Sequence, residues 1–338
     1  MENRLLDFNQ RVNHARFLGQ SKGHYESFFL RANHPTRPLA FWIRYTLFSP
    51  KNPQEKALGE LWCVFFNGET NQQIPVKQEY PLSDCLFDTS SFDVRVGTAA
   101  LGPRSLRGAI ENKGHSLAWE LSYHGDSAPL LLLPLDLYEG RFPAAKSLVS
   151  VPMACFNGSL WVDGEKVDIT QWVGSQNHNW GTRHTDLYAW GQVAGFDNFP
   201  DSFLEVATAR LKMGPIWTPP ITLIVLRHQN TEYVLTEMFQ ALRAHGRFRY
   251  FRWDFKSGTA SAEIEGQITA PGHAFVGLDY YNPPGGSKHC LNSKIASCKL
   301  HLKDKITGTV DNLETKHRAA FEILTSDRSH RIEMMKLE

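Results

Sequence analysis

Apolar and polar residues alternate with a period of two over most of this chain, and the alternating runs are short, cut from one another by Gly, Pro, Asn and Asp. The clearest run is HSLAWELSYHGD, residues 115–126. Leu117, Trp119, Leu121 and Tyr123 fall on one parity and Ala118, Glu120, Ser122 and His124 on the other, as in a strand with one face in a core. RPLAFWIRYTLFSP (37–50) is entered after proline and closed by Ser-Pro, and LWCVFFNGET (61–70) ends in an Asn67-Gly68 turn. SLWVDGEKVDI (159–169) reads as a hairpin around Asp163-Gly164, because that pair tolerates the positive φ angles of a type I′ turn. The second half repeats the theme in DLYAWGQVAGF, SFLEVATARL, ITLIVLRHQNTEYVLT, KHCLNSKIASCKLHL and RAAFEILT.

Helical patterns are few and short. Residues 3–17 form one candidate, and TEMFQALRAHG, capped by Thr236 and ended by Gly246, another, although FQALRAHG also reads as a strand and loop. There is no strict internal repeat. The pattern predicts an all-β protein of two antiparallel β-barrel or sandwich domains with few short helices. A chain of 338 residues is long for one core and comfortable for two. The loop-rich stretches near 134–146 and 175–197 are the places to divide it, and the expected domains are 1–183 and 184–338.

Composition narrows the function classes. Lys+Arg is 36 against Asp+Glu 35, a net charge of +1, so no global field draws in nucleic acid or an anionic membrane. RFRYFRWDF (247–255) mixes arginine with aromatics as single-strand nucleic-acid platforms do, but strand alternation accounts for it. Aromatics reach 12%; they favour strands and also line pockets for apolar ligands. Five scattered cysteines without a C-x-x-C pair suit buried thiols in a reducing compartment. APLLLLPL and PPITLIVL are too short to span a bilayer, and the charged N-terminus lacks the apolar centre of a signal peptide. The expectation is a cytoplasmic protein with no membrane span, peripheral membrane contact and oligomeric state being left open. His178 and His184 are six apart with no third ligand at a recognised spacing, and Gly-rich phosphate loops and G-x-S-x-G are absent. No metal or other cofactor is expected.

Three segments carry a resemblance. ESFFLRANHPTRPLAFWIRYTLFSPKNP (26–53), QNHNWG (176–181) and HCLNSKIASCKLHL (289–302) occur in the order and spacing of the tocopherol cyclase and carotenoid 1,2-hydratase group. The resemblance implies two lipocalin-like (calycin-type) domains and chemistry on isoprenoid-like molecules. The sequence departs from that group at the Trp-Gly box. Where the hydratases resemble Asp-His-Glu-Trp-Gly, this chain has Asn177-His178-Asn179-Trp180-Gly181. Where the cyclases look like Glu-Lys-Asn-Trp-Gly, only Asn179, Trp180 and Gly181 match. Protonating an alkene needs a placed acid, and an amide supplies no such proton.

The acid must then come from elsewhere. His178 and His184 are the candidate proton donors of imidazole type. Tyr188 and Trp190 share a strand parity with Asp186 and Gln192, a row of acid, phenol, indole and amide. Glu205 sits on the parity of Phe203, Ala207 and Ala209. On that small, apolar face it is either a cavity acid, its pKa raised by burial, or the solvent side of an edge strand. The expected catalytic set is His178, Glu205 and Asp186. The expected ligand contacts are Gln176, Asn179, Trp180, Tyr188, Trp190, Gln192 and Asn292. The structural alternative is that the amides and His178 satisfy buried backbone groups and tie the lobes together. Lys294 is expected to be a solvated charge and Arg31 to lie at the surface.

Two functions follow. One is a cofactor-independent cyclase, hydratase or isomerase of a hydrophobic, isoprenoid-like molecule. The other is a carrier or sensor that holds such a molecule and performs no chemistry.

Overall fold

A computed structural model describes residues 2–335. As the alternation predicts, the chain is nearly all β, arranged as two lipocalin-like domains: a nearly closed barrel followed by a half-barrel. The first sheet has twelve strands. Its path runs Gln72–Pro81, Leu58–Asn67, Leu39–Ser49, His24–Asn33, Glu165–Gly181, Ala145–Val162, His115–His124 and Ser105–Asn112, then through two short strands to Cys85–Phe87, with Leu130–Leu131 pairing beside the path on Ala145–Val162. The second has ten, running Thr231–Leu235, Ile221–His228, Phe203–Arg210, Leu187–Ala194, Val310–Thr325, Ser287–Asp304, Ala262–Thr269, Arg252–Gly258 and His245–Arg249, with Val276–Tyr281 pairing beside the path on Ser287–Asp304.

Each sheet is built on one long hairpin. In the first, Ala145–Val162 folds back on Glu165–Gly181. Asp163 and Gly164 turn the corner with φ of 51° and 85°, the left-handed pair that a tight hairpin needs. In the second, Ser287–Asp304 pairs with Val310–Thr325.

The strands that matter most are buried on both faces. His24–Asn33 is buried at every position, and Leu39–Ser49 at all but its last. Phe28, Leu30, Phe41, Ile43 and Tyr45 fill the barrel of their own domain. The opposite parity, with Phe29, Trp42, Trp62, Val64 and Phe66, joins the core of the second domain instead. One face of the first sheet therefore packs against the second sheet. A single run of alternation cannot show this, because the polar parity of these strands is itself covered.

Both helical expectations are shortened. The N-terminal helix spans Glu2–Gln10 rather than 3–17. Beyond it, the backbone N–H groups of Arg16 and Phe17 donate to the Glu26 carboxylate, which replaces a helical ladder with a loop. The second of the expected helices is Met238–Arg243, preceded by Glu237 without a side-chain cap. The expected terminator Gly246 belongs to the strand His245–Arg249.

Candidate active site

Registers across the sheets set out two facing grids. On the first sheet the partners run Asn179–Ser27–Thr46–Glu60, then Asn177–Phe29–Arg44–Trp62–Lys77, then Ser175–Arg31–Trp42–Val64. On the second they run Ala207–Trp190–Glu322–Asn292 and Glu205–Gln192–Ala320. Directly paired residues project from the same face, so these rows meet across the seam.

Gln192 is the hub of the first cluster. Its Oε1 accepts from Arg31 Nε at 2.8 Å and from Ser175 Oγ at 2.6 Å. Its Nε2 donates to Asn177 Oδ1 at 3.0 Å and to Glu205 Oε2 at 2.9 Å. Trp190 Nε1 donates to Glu205 Oε1 at 2.7 Å. Glu205 is 2% exposed, on a strand paired on both sides, which selects the buried reading over an edge strand. Burial pushes its carboxyl up to about 7; the bonds from Trp190 and Gln192 and the charge of Arg31 oppose the rise, and Glu322 adds to it. Arg31 is buried, not superficial, with Nη1 donating to Asn33 Oδ1 at 2.5 Å. Burial lowers its guanidinium to about 9, Glu205 opposing and Arg318 adding, so it stays charged at neutral pH.

A second cluster lies beside the first. Lys294 is fully buried rather than solvated. Its Nζ donates to Glu322 Oε1 at 2.6 Å and to Asn292 Oδ1 at 2.5 Å. It also stands over the rings of Trp42 and Trp190, 5.7 and 5.3 Å from their centroids. Asn292 Nδ2 donates to the same Glu322 oxygen at 3.0 Å. Next to these, Arg44 lies on Tyr280, 4.1 Å from the ring centroid. Burial works against its charge, but Tyr280, Glu60, Glu322 and Cys290 outweigh it and raise the pKa. Burial, joined by Cys290 and Glu322, keeps the Tyr188 phenol protonated.

The expected set of residues does not form one site. From Trp172 to Gly181, beyond the register shift that separates Trp172 from Ile169, the odd positions face the seam and the even positions face away from it. Asn179 therefore looks toward the second sheet, with Tyr188, Trp190, Gln192, Glu205 and Asn292, whereas Gln176, His178 and Trp180 look away from it. His178 stacks on Phe28 at 4.1 Å, and its Nδ1 and Nε2 bond Val12 O at 2.6 Å and Glu26 Oε1 at 2.8 Å. Gln176 exchanges hydrogen bonds with Asn13 at 3.0 and 3.1 Å. Trp180 packs with Phe8, Val12 and Tyr138. These three fasten the N-terminal segment to the first sheet. At their centre, burial would raise the pKa of Glu26, but hydrogen bonds from His178 and His24 hold it down to about 2.

Asp186 precedes its strand, which starts at Leu187, and does not continue the row of Tyr188 and Trp190 into the seam. It accepts from the Lys212 backbone N–H at 2.9 Å and lies 3.4 Å from Arg183 and 3.9 Å from Lys288. His184 cannot carry a proton near neutral pH: burial, reinforced by Arg44, lowers it to about 3. Sequence reasoning passed over Arg44, Glu26 and Glu322 as site residues. For Arg44 and Glu26 the available signal was a charge inside a strand with aromatic neighbours on both sides. A cleft of about 750 Å³, lined by Phe251, Phe275, Val276, Ile332 and Met334 among others, opens elsewhere. It contains none of the buried charge clusters, and the chemistry is assigned to the seam.

No protein-family model matches the chain. Two curated relatives, both uncharacterized proteins of Mycobacterium tuberculosis (strains CDC 1551 / Oshkosh and ATCC 25618 / H37Rv), are 25% identical over 285 residues, covering 83% of this chain and 82% of theirs. Kievitone hydratase from Nectria haematococca is similar in structure, with a TM-score of 0.54 at 13% identity, over 92% of this chain and 93% of that one. CghA also scores 0.54, at 11% identity, over 90% and 88% of the two chains. The fold is thus that of two-domain lipocalin-like proteins, a scaffold that includes a hydratase.

Proposed function

We propose that this protein catalyses hydration or ring closure of a hydrophobic, isoprenoid-like molecule, with Glu205 as proton donor in the seam. The observation that carries this reading is the Glu205 carboxyl, buried against the Trp190 indole with its pKa raised to about 7. A general acid works best when its pKa lies near the operating pH. Shared fold with kievitone hydratase, and the resemblance to carotenoid hydratases and tocopherol cyclases, support the same class of reaction.

The steps balance without a cofactor. Glu205 gives its proton to an alkene carbon, and the faces of Trp190 and Trp42 stabilise the cation that forms. Water, or a hydroxyl of the substrate, adds to the cation. The proton it releases returns to the Glu205 carboxylate. The protonated form needs one oxygen freed of its donor. Gln192 Nε2 has a second acceptor in Asn177 Oδ1 at 3.0 Å, so it can release Oε2.

A carrier that leaves its ligand unchanged is the second reading, favoured by the amides Asn177 and Asn179 in the Trp-Gly box. One experiment separates the two. Purified protein is incubated with kievitone and with a panel of prenylated phenols and linear polyenes, and products are followed by chromatography and mass spectrometry. Catalysis gives an adduct heavier by one water, or an isobaric product, and Glu205→Gln lowers the rate at least ~100-fold. Ligand recovered unaltered supports the carrier. Turnover undiminished in Glu205→Gln removes Glu205 from the mechanism.

A further inference from the structure

The face of the first sheet that meets the second sheet carries seven buried polar atoms without a hydrogen-bond partner: Ser27 Oγ, Thr46 Oγ1, Asn179 Oδ1, Arg44 Nε, Trp42 Nε1, Trp62 Nε1 and Glu60 Oε1, the last held by the ion pair with Lys77. They form one patch. Asn179, Ser27 and Thr46 are successive cross-strand partners, and Arg44 pairs with Trp62 in the adjacent row, two residues along the strand from Trp42 and from Thr46. Buried polar groups in folded proteins are nearly always satisfied, so such a concentration on one face marks a place built for a partner.

Arg44 determines what that partner is. It is 5% exposed, and among the described residues no carboxylate lies within ion-pair distance of its guanidinium. The nearby acids are already matched: Glu322 takes Lys294 at 2.6 Å, and Glu60 takes Lys77. Tyr280 offers Arg44 only a ring face. Its charge is met only by attraction from Glu60 and Glu322 beyond ion-pair distance, and a guanidinium presents a planar fork of donors suited to an oxyanion.

We propose that the seam binds an apolar molecule ending in an ionised oxygen acid, in the simplest case a carboxylate. Arg44 takes the oxyanion, Ser27, Thr46 and the two indole N–H groups supply hydrogen bonds beside it, and the apolar body lies along Trp42 and Trp190 toward Glu205. This rests on the proposed function, since it names the substrate class of the same seam. It separates recognition at Arg44 from proton donation at Glu205.

The test is a binding measurement that needs no turnover. Quenching of tryptophan fluorescence is titrated with all-trans retinoic acid, its methyl ester and retinol, three molecules with one polyene and different heads. The expected result is at least tenfold tighter binding of the acid than of the ester or alcohol. Arg44→Met should abolish that preference while binding of the ester stays as in wild type, and Arg44→Lys should retain part of it. Glu205→Gln should keep the preference in full. Equal binding of the three molecules by the wild-type protein, or no binding of any, overturns the inference without recourse to a variant. So does a preference that survives in Arg44→Met. A preference that persists when Glu205→Gln shows unchanged turnover refutes the acid assignment and leaves the Arg44 site standing.

Discussion

At the scale of single residues, Glu205 makes stability depend on pH in a direction opposite to most acids. Its folded-state pKa is raised, to about 7 from an ordinary 4.5, because burial disfavours the charged form. Below pH 4.5 it is protonated in both states and costs nothing. Between 4.5 and 7 the unfolded chain ionises while the folded one does not, so stability falls by about 3 kcal/mol across that window and levels off above it. Glu205→Gln removes this loss. Its melting temperature relative to wild type should climb between pH 5 and pH 8, by calorimetry on both proteins; parallel curves would refute the raised pKa. An acid on a small, apolar parity already singled out Glu205 from the sequence. Arg31, Arg44 and Lys294 were not legible in the same way. Alternation assigns a charge to the outward parity of its strand, and nothing local states that a second sheet covers that parity.

At the scale of elements, the long central hairpin was readable because its turn is local chemistry. Asp163 and Gly164 adopt positive φ, and that pair is written in the sequence. The partner strand carries a requirement that is not. Gly174 lies opposite Ala32, and a Cβ built there would stand 1.7 Å from the Arg31 carbonyl oxygen. Gly174→Ala should therefore cost more than about 3 kcal/mol, since backbone cannot give way as a side chain does. Gly164→Ala, at φ of 85° with nothing within 4 Å, should cost only about 1 kcal/mol. Denaturation midpoints in urea compare the two, and similar losses would show that the strands separate freely at Gly174. The same distinction explains the helix that stopped early. Residues 3–17 carry a helical pattern, but Glu26, on the strand that follows, draws in the backbone of Arg16 and Phe17, a contact that helical periodicity does not encode.

At the scale of the whole molecule, the two sheets share one core. Phe29, Trp42, Trp62, Val64 and Phe66 from the first sheet pack with Trp190, Leu204, Val206 and Ile323 from the second. Separating the domains would expose those aromatics together with the charges of Arg31, Arg44 and Lys294. Calorimetry should accordingly show a single unfolding transition with matching calorimetric and van't Hoff enthalpies. Two resolved transitions would mean that the seam contributes little to either domain.

A resemblance to known proteins carried the two-domain lipocalin-like class; the pattern of the sequence itself determined the all-β architecture, the position of the central hairpin and the parity of cleanly alternating runs such as His115–His124. These depend on side-chain period and turn chemistry, which act over a few residues. The tertiary structure decided which parity is dry. It turned His178 and Trp180 inward to hold the N-terminal segment, left Asn179 facing the second sheet, placed Asp186 before its strand, and gathered Arg31, Gln192, Glu205, Lys294 and Arg44 into one seam. Parity says only that two side chains point the same way. What stands opposite them is set by another sheet, for Arg31 more than a hundred residues distant in the chain, and the burial it imposes is what shifts the protons.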